Sequence, residues 1–93
     1  MNIRFYNDPQ TGMPHIYGHG MTEDEVADVL QNPDEDRSGR EGARVAIGQT
    51  RAGRYLRVIY VPEQNCAFVI TAYELKGKPL LAYRQRQRRK GTR

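Results

Sequence analysis

Apolar residues are concentrated in four short runs of the sequence. The first run, NIRFY (residues 2–6), places Ile3 and Phe5 on one face and ends in the turn residues NDPQTG. β-branched and aromatic residues dominate the other three runs, and the connections RAG and PEQN between them are short, so this part of the chain predicts an antiparallel meander. The three runs are RVAIGQT (44–50), RYLRVIYV (54–61) and CAFVITAY (66–73).

A helix-start signature follows the first run, at MTEDEV (21–26). Thr22 can cap the helix, Glu25 can close a capping box, and Met21 can pack on Val26 as a hydrophobic staple. Pro33 is expected to end the helix soon after Gln31. The buried stripe is predicted to be Val26, Val29 and Leu30.

Two further segments complete the pattern. The polar residues DEDRSGREGA (34–43) predict a loop, and Pro79 can open a final helix that LLAYRQRQRRK continues. Leu80, Leu81 and Tyr83 are expected to anchor that helix while its basic half projects.

The order of elements predicts a single α+β domain over residues 1–93. The predicted sheet is small and antiparallel, made of the N-terminal strand plus the three-stranded meander, with one helix after the first strand and a basic C-terminal helix and tail over 77–93. We expect helix to cover one face of the sheet and to leave the other face available.

Charge is divided unevenly along the chain, whose net charge is +4. All eleven acidic residues lie in positions 1–75 beside seven arginines, whereas positions 76–93 carry eight Lys or Arg and no acid. Folding does not need this separation, so it indicates a polyanion or an acidic protein as partner. The alternative is a solvated, frayed terminus.

Composition excludes several classes of protein. Cys66 is the single cysteine, so neither an internal disulfide nor a zinc site built on several cysteines can form. The start, MNIRFYNDP, lacks the basic-then-apolar pattern of a signal sequence, and no apolar run approaches the length of a membrane span. We therefore expect a cytoplasmic protein without membrane contact.

Both histidines lie in the Gly-rich stretch PHIYGHG, just before the first helix. His19 is a candidate general acid or base, since its ordinary pKa lies near neutrality; the alternative is a histidine hydrogen-bonded to a nearby carbonyl. His15 and His19 have His-x-x-x-His spacing, but no acidic residue lies between them and no Cys partner exists. We predict no metal site and expect His15 to be a supporting or surface residue.

Arg57 is the candidate for binding phosphoryl oxygens, because a guanidinium group can hold two of them at once. Strand alternation places it on the face opposite Leu56 and Val58, which we expect to be the open face. The alternative is an ion pair with Glu63 or Glu41.

Thr71 and Tyr73 are expected to lie on the face of Ala67 and Val69, and with ordinary strand register that face could be the Arg57 face. Tyr73 would then stack on a base or donate a hydroxyl proton.

Arg84 and Arg88 fall on one stripe of the final helix, with Arg86 and Arg89 beside them. These arginines would bind flanking phosphates or an acidic protein segment.

HGMTEDEVADVLQNP, RVAIGQTRAGRYLRVIYV, FVITAY and the closing Tyr-Arg helix resemble the BrnT-like toxins of bacterial toxin–antitoxin pairs, within the wider RelE-like group of small ribonucleases. The resemblance covers roughly residues 15 to 85. It implies a compact α+β fold and cleavage of RNA, free or on the ribosome, that needs no metal or cofactor and arrests translation. It also implies neutralisation by a cognate antitoxin that binds DNA.

The resemblance extends to single residues. His19 with Gly20 matches the family's His-Gly, and Tyr83 matches a tyrosine of the final helix. Thr71 stands where the family usually has Ser, Tyr73 where it usually has Arg, and Gly18 where it commonly has Lys. We predict catalytic roles for His19, Arg57, Thr71 and Tyr73 and RNA binding by Arg84, Arg86, Arg88 and Arg89. The alternatives are a non-catalytic RNA-binding module and a protein-interaction module of the same fold.

Overall fold

A five-stranded mixed sheet forms the centre of the molecule, which confirms the α+β class. The computed structural model describes residues 2–91, so the last two residues of the predicted tail, 92–93, lie outside the described residues. The strands lie in the order β1-β5-β4-β3-β2. The elements are β1 (Asn2–Phe5), a 3₁₀ helix (His15–His19), α1 (Glu23–Gln31), β2 (Glu35–Ser38), β3 (Arg44–Gln49), β4 (Tyr55–Glu63), β5 (Cys66–Glu74) and α2 (Gly77–Gly91).

The predicted start and stripe of α1 are confirmed. The Thr22 hydroxyl accepts a hydrogen bond from the Glu25 backbone N–H at 3.2 Å, and the Glu25 carboxylate accepts one from the Thr22 N–H at 3.0 Å. This reciprocal box satisfies two backbone donors that a helix start leaves without partners. The helix ends at Gln31, and the predicted stripe of Val26, Val29 and Leu30 is buried.

The prediction of a loop over residues 34–43 is wrong in its first half. Glu35–Ser38 forms the edge strand β2, antiparallel to β3, with Glu35 opposite Ile47 and Ser38 opposite Arg44. The ladder of backbone hydrogen bonds needs no apolar side chain, and an edge strand can be polar throughout. A turn closes the hairpin, with Gly39 N–H donating to the Ala43 carbonyl.

The expectation that every strand pairs antiparallel is also wrong, because β1 runs parallel to β5. Ile3 lies opposite Ala67 and Phe5 opposite Val69. The remainder of the fold separates these two strands in the sequence, and only such a long crossover can bring a strand back in the same direction. Ile3 and Phe5 pack against the core beneath α1.

The two helices lie on opposite faces of the sheet, so neither face is wholly uncovered. This differs from the expectation that helix would cover one face and leave the other available. The α1 face carries the larger core, including Leu56, Val58 and Val69. The opposite face, called here the α2 face, carries a second cluster in which buried Tyr83 of α2 packs with Val45 and Ile47.

The anchoring of α2 differs in one residue from the prediction. Leu80 packs against the second cluster and Tyr83 is 3% exposed, but Leu81 is 58% exposed and does not anchor the helix. The helix begins at Gly77, two residues before the predicted Pro79. In the described part of the chain, no helix is both long and apolar enough to cross a bilayer.

Candidate functional site

A bulge in β5 decides which candidate residues face each other. Tyr60 of β4 lies opposite Val69, but the preceding residue, Ile59, lies opposite Thr71, so Ile70 has no partner across the ladder. One extra residue reverses the alternation of faces for the rest of the strand. Val69 therefore contributes to the α1 core, whereas Thr71 lies on the α2 face with Ile59.

The bulge corrects one prediction. Thr71 and Tyr73 do not share a face with Ala67 and Val69, because the alternation changes at Ile70. Past the bulge, Tyr73 is the direct cross-strand partner of Arg57. Directly opposite residues of antiparallel strands project from the same face at Cβ separations of about 5 Å.

The 3₁₀ helix packs against β5 and brings His19 to Tyr73. The centroids of the two rings are 4.9 Å apart and the rings meet edge to face at 63°. The His15 ring also contacts the His19 ring, with centroids 5.1 Å apart. Gly20 ends the 3₁₀ helix at φ 78°, a left-handed conformation that glycine adopts without strain.

Arg54 fixes the chain immediately after His19, and sequence reasoning missed it. Its guanidinium donates to the Gly20 carbonyl at 3.2 Å and to the carboxylates of Glu25, at 2.9 Å, and Glu74, at 3.1 Å. Burial opposes ionisation of Glu25, but hydrogen bonds from Thr22 and Arg54 outweigh it and lower the pKa of that carboxyl. These partners lie 20 to 34 residues away in sequence, so no local pattern indicates the network.

Arg57 is exposed, and no carboxylate within residues 2–91 forms an ion pair with it. Glu63, one alternative partner, pairs with Arg4 at 2.8 Å. The guanidinium is therefore open to an anionic ligand.

Thr71 is 7% exposed, and its hydroxyl oxygen has no hydrogen-bond partner among the described residues. Its hydroxyl lies beneath the surface that carries Arg57 and Tyr73.

The four arginines predicted to bind RNA have different surroundings. Arg84 places its guanidinium 5.4 Å from the centroid of Tyr55, which lies on the α2 face two residues before Arg57. Arg86 instead binds the Glu35 carboxylate through two hydrogen bonds of 2.7 and 3.0 Å. That contact lowers the pKa of Glu35 and raises the pKa of Arg86. Arg88 and Arg89 are exposed on the last turns of α2.

The Tyr83 hydroxyl strengthens the attachment of α2 by donating to the Asp34 carboxylate. Burial, together with this bond, raises the pKa of Tyr83. The ring of Tyr83 also lies 5.5 Å from that of Tyr55. The helix is thus held against the face that carries Arg57, with Arg84 directed toward β4.

Comparison with known proteins gives one family. The family described as a domain of unknown function, DUF4258, matches residues 18–74. The chain belongs to the DUF4258 family. No curated protein and no solved structure shows a significant match to it. The DUF4258 range contains His19, Arg57, Thr71 and Tyr73 and stops before α2.

Within the DUF4258 range, three chemically different groups lie on one surface. An imidazole can accept or donate a proton near neutral pH, a phenol can donate one, and a guanidinium can bind two oxygens of a phosphate. No set of three or more His, Cys, Asp or Glu side chains in residues 2–91 could hold a metal ion. The chemistry that these groups can perform is proton transfer next to a bound oxyanion.

Proposed function

We propose that this DUF4258 protein is a metal-independent endoribonuclease and the toxin of a toxin–antitoxin pair. One observation carries the proposal: the His19 ring contacts Tyr73, and Tyr73 is the cross-strand partner of Arg57, which has no carboxylate partner among residues 2–91. Groups that can move protons and a group that can bind phosphate thus lie side by side on an exposed surface. The resemblance to BrnT-like toxins also supports the proposal.

The proposed reaction is attack of the RNA 2′-hydroxyl on the adjacent phosphorus. His19 takes the 2′ proton as the new O2′–P bond forms, and the hydroxyl of Tyr73 gives a proton to the 5′ oxygen as the P–O5′ bond breaks. Arg57 stabilises the charge that accumulates on the non-bridging oxygens. The products are a 2′,3′-cyclic phosphate and a 5′-hydroxyl. Buried Thr71 supports the strand under Tyr73 and does not contact the RNA.

The basic face of α2 supplies the second part of the proposal. Arg84 and Arg88 bind phosphates that flank the reacting one, so affinity should fall steeply as salt increases. Arg86 contributes little to RNA binding, since Glu35 occupies its guanidinium. An antitoxin with an acidic segment would inhibit by covering the same helix. Cleavage of mRNA, free or on the ribosome, would take place in the cytoplasm.

The experiment compares purified parent, His19→Ala and Arg57→Ala on a labelled RNA, in EDTA, with mapping of the product ends. Both variants should cleave about 100-fold more slowly than the parent, with cyclic phosphate ends in every case. Arg51→Ala is the control, because the Arg51 side chain is 87% exposed and lies in the turn before β4. Parent-like cleavage by both site variants would overturn the assignment.

A second candidate function is a non-catalytic RNA-binding or protein-interaction module. Gly18 and Tyr73 favour it, because they stand where the BrnT-like family commonly has Lys and usually has Arg, so two positive charges of that family are missing here. A parent protein that binds RNA and produces no new ends would support this candidate. Growth arrest on expression, relieved by co-expression of a small neighbouring reading frame, would support the toxin.

A further inference from the structure

Four aromatic rings contact one another in succession, Tyr6 with His15, His15 with His19, and His19 with Tyr73; we call these four rings the ring row. Successive centroids are 6.1, 5.1 and 4.9 Å apart, and successive planes are inclined by 57°, 73° and 63°. The end members, Tyr6 and Tyr73, are 41% and 42% exposed. The proposed reaction uses His19 and Tyr73 and leaves the Tyr6–His15 half without a role.

Backbone hydrogen bonds hold this half of the ring row in place. The Tyr6 N–H donates to the Val69 carbonyl at 2.8 Å, which continues the alignment of β1 with β5. The His15 N–H donates to the Tyr6 carbonyl at 2.8 Å, and an isolated bridge joins Asn7 to Pro14. Because main-chain atoms make these contacts, the Tyr6 ring can be removed without breaking them.

Local charge indicates which part of a nucleotide fits here. The Asp8 carboxylate lies 3.7 Å from His15 Nδ1 and is 32% exposed. A carboxylate this close repels a phosphate, whereas Arg57 at the other end of the row attracts one. An uncharged planar group fits the Tyr6–His15 half, and aromatic side chains with open faces stack nucleobases of any sequence.

We propose that Tyr6 and His15 form a subsite for an unpaired nucleobase of the RNA. The inference rests on the proposed function, since it seats this base next to the phosphate that His19, Arg57 and Tyr73 bind. A base in a duplex is already stacked and paired, so the subsite selects single-stranded RNA.

The test measures binding without cleavage. A fluorescent oligoribonucleotide with every 2′-hydroxyl methylated lacks the nucleophile, and anisotropy gives its affinity for each full-length variant. Tyr6→Ala should weaken binding of the single strand about 10-fold, and Tyr6→Phe should bind like the parent. Tyr17→Ala is the matched control, since Tyr17 is 42% exposed but lies outside the ring row and donates its hydroxyl to Glu23.

Two further ligands separate stacking from a general loss of affinity. On an oligomer of ribose and phosphate without bases, Tyr6→Ala and the parent should bind equally, and on a duplex of the same sequence their difference should also disappear. A Tyr6→Ala protein that binds the single strand like the parent would overturn the subsite. An equal loss in Tyr17→Ala would overturn it too.

The subsite and the proposed function can fail separately. If the parent cleaves unmethylated RNA while Tyr6→Ala retains full affinity, only the subsite is wrong. If Tyr6→Ala loses affinity as expected but the parent yields no cleavage products, the subsite stands and the nuclease proposal is wrong. A parent that binds no RNA overturns both.

Discussion

Replacing Arg54 by alanine should both destabilise the fold and release the segment that carries His19. The guanidinium holds the Gly20 carbonyl and the carboxylates of Glu25 and Glu74, so one substitution removes contacts among the start of α1, the end of β5 and the residue after His19. The Glu25 and Glu74 carboxylates would remain close together, and the exposed Lys76, 3.8 Å from Glu74, would be a weaker counter-charge than Arg54.

The magnitude follows from the exposure of these groups. The side chains of Arg54, Glu25 and Glu74 are 31%, 18% and 33% exposed. Removal of one partner from a fully buried ion pair costs about 3–5 kcal/mol, and loss of an exposed pair costs about 0–1 kcal/mol. A half-buried group with one further hydrogen bond to a backbone carbonyl lies between these limits. We expect Arg54→Ala to lower the free energy of unfolding by about 2–3 kcal/mol.

Urea unfolding at pH 7, followed by circular dichroism, measures this loss. A slope of about 1 kcal/mol per molar urea, typical of small proteins, converts this loss into a midpoint lower by about 2–3 M. Arg51→Ala is the control, because its side chain is 87% exposed and should contribute less than about 0.5 kcal/mol. Midpoints of Arg54→Ala and Arg51→Ala that agree would refute the reasoning. RNA cleavage by folded Arg54→Ala should also be slower than by Arg51→Ala.

Substitutions at three other positions test other parts of the structure by urea unfolding. Thr71→Val should raise the free energy of unfolding by about 1 kcal/mol, since it removes a buried hydroxyl without a described partner; a loss of stability would mean that this hydroxyl is bonded. Tyr83→Ala should lower the free energy of unfolding by about 3–4 kcal/mol, because the ring is 3% exposed and holds α2. Tyr83→Phe keeps the ring and should lower it by only about 1 kcal/mol, and equal losses in the two variants would contradict this division between ring and hydroxyl. Arg86 lowers the pKa of Glu35 below its ordinary 4.5, so this carboxylate stabilises the native state fully above that value and loses its contribution as pH falls through the lower native pKa. The free energy of unfolding of Glu35→Gln should therefore depend less on pH than that of the parent from about pH 5 to pH 3. An identical pH dependence would show that the Glu35–Arg86 pair does not cause the loss of stability in acid.

The parts of the fold that local sequence encodes could be predicted. Thr22 and Glu25 lie three residues apart, so the capping box of α1 is complete within one short segment. The β-branched and aromatic composition of β3, β4 and β5 is equally local. Strand β2 has no apolar residue, and its pairing partner alone makes it a strand. The direction of β1 depends on the route of the chain through the rest of the fold.

The candidate site could likewise be predicted only where local sequence is sufficient. His19, Arg57 and Tyr73 could be selected from their chemistry and resemblance, but their arrangement depends on the unpaired Ile70, which only the register with β4 defines. Simple alternation of side chains wrongly placed Tyr73 on the same face as Ala67 and Val69. Arg54 could not be found at all, since each of its acceptors belongs to a different element.

The charged edge of the sheet limits how this molecule can associate. Strand β2 is outermost, and three of its four residues are Glu35, Asp36 and Arg37. A strand from another chain that aligned with this edge would bring its own side chains against the exposed charges of Asp36 and Arg37, which need water. Fibre-like stacking of sheets through β2 is therefore disfavoured, so the protein should tolerate crowding and transient overproduction without forming aggregates along that edge.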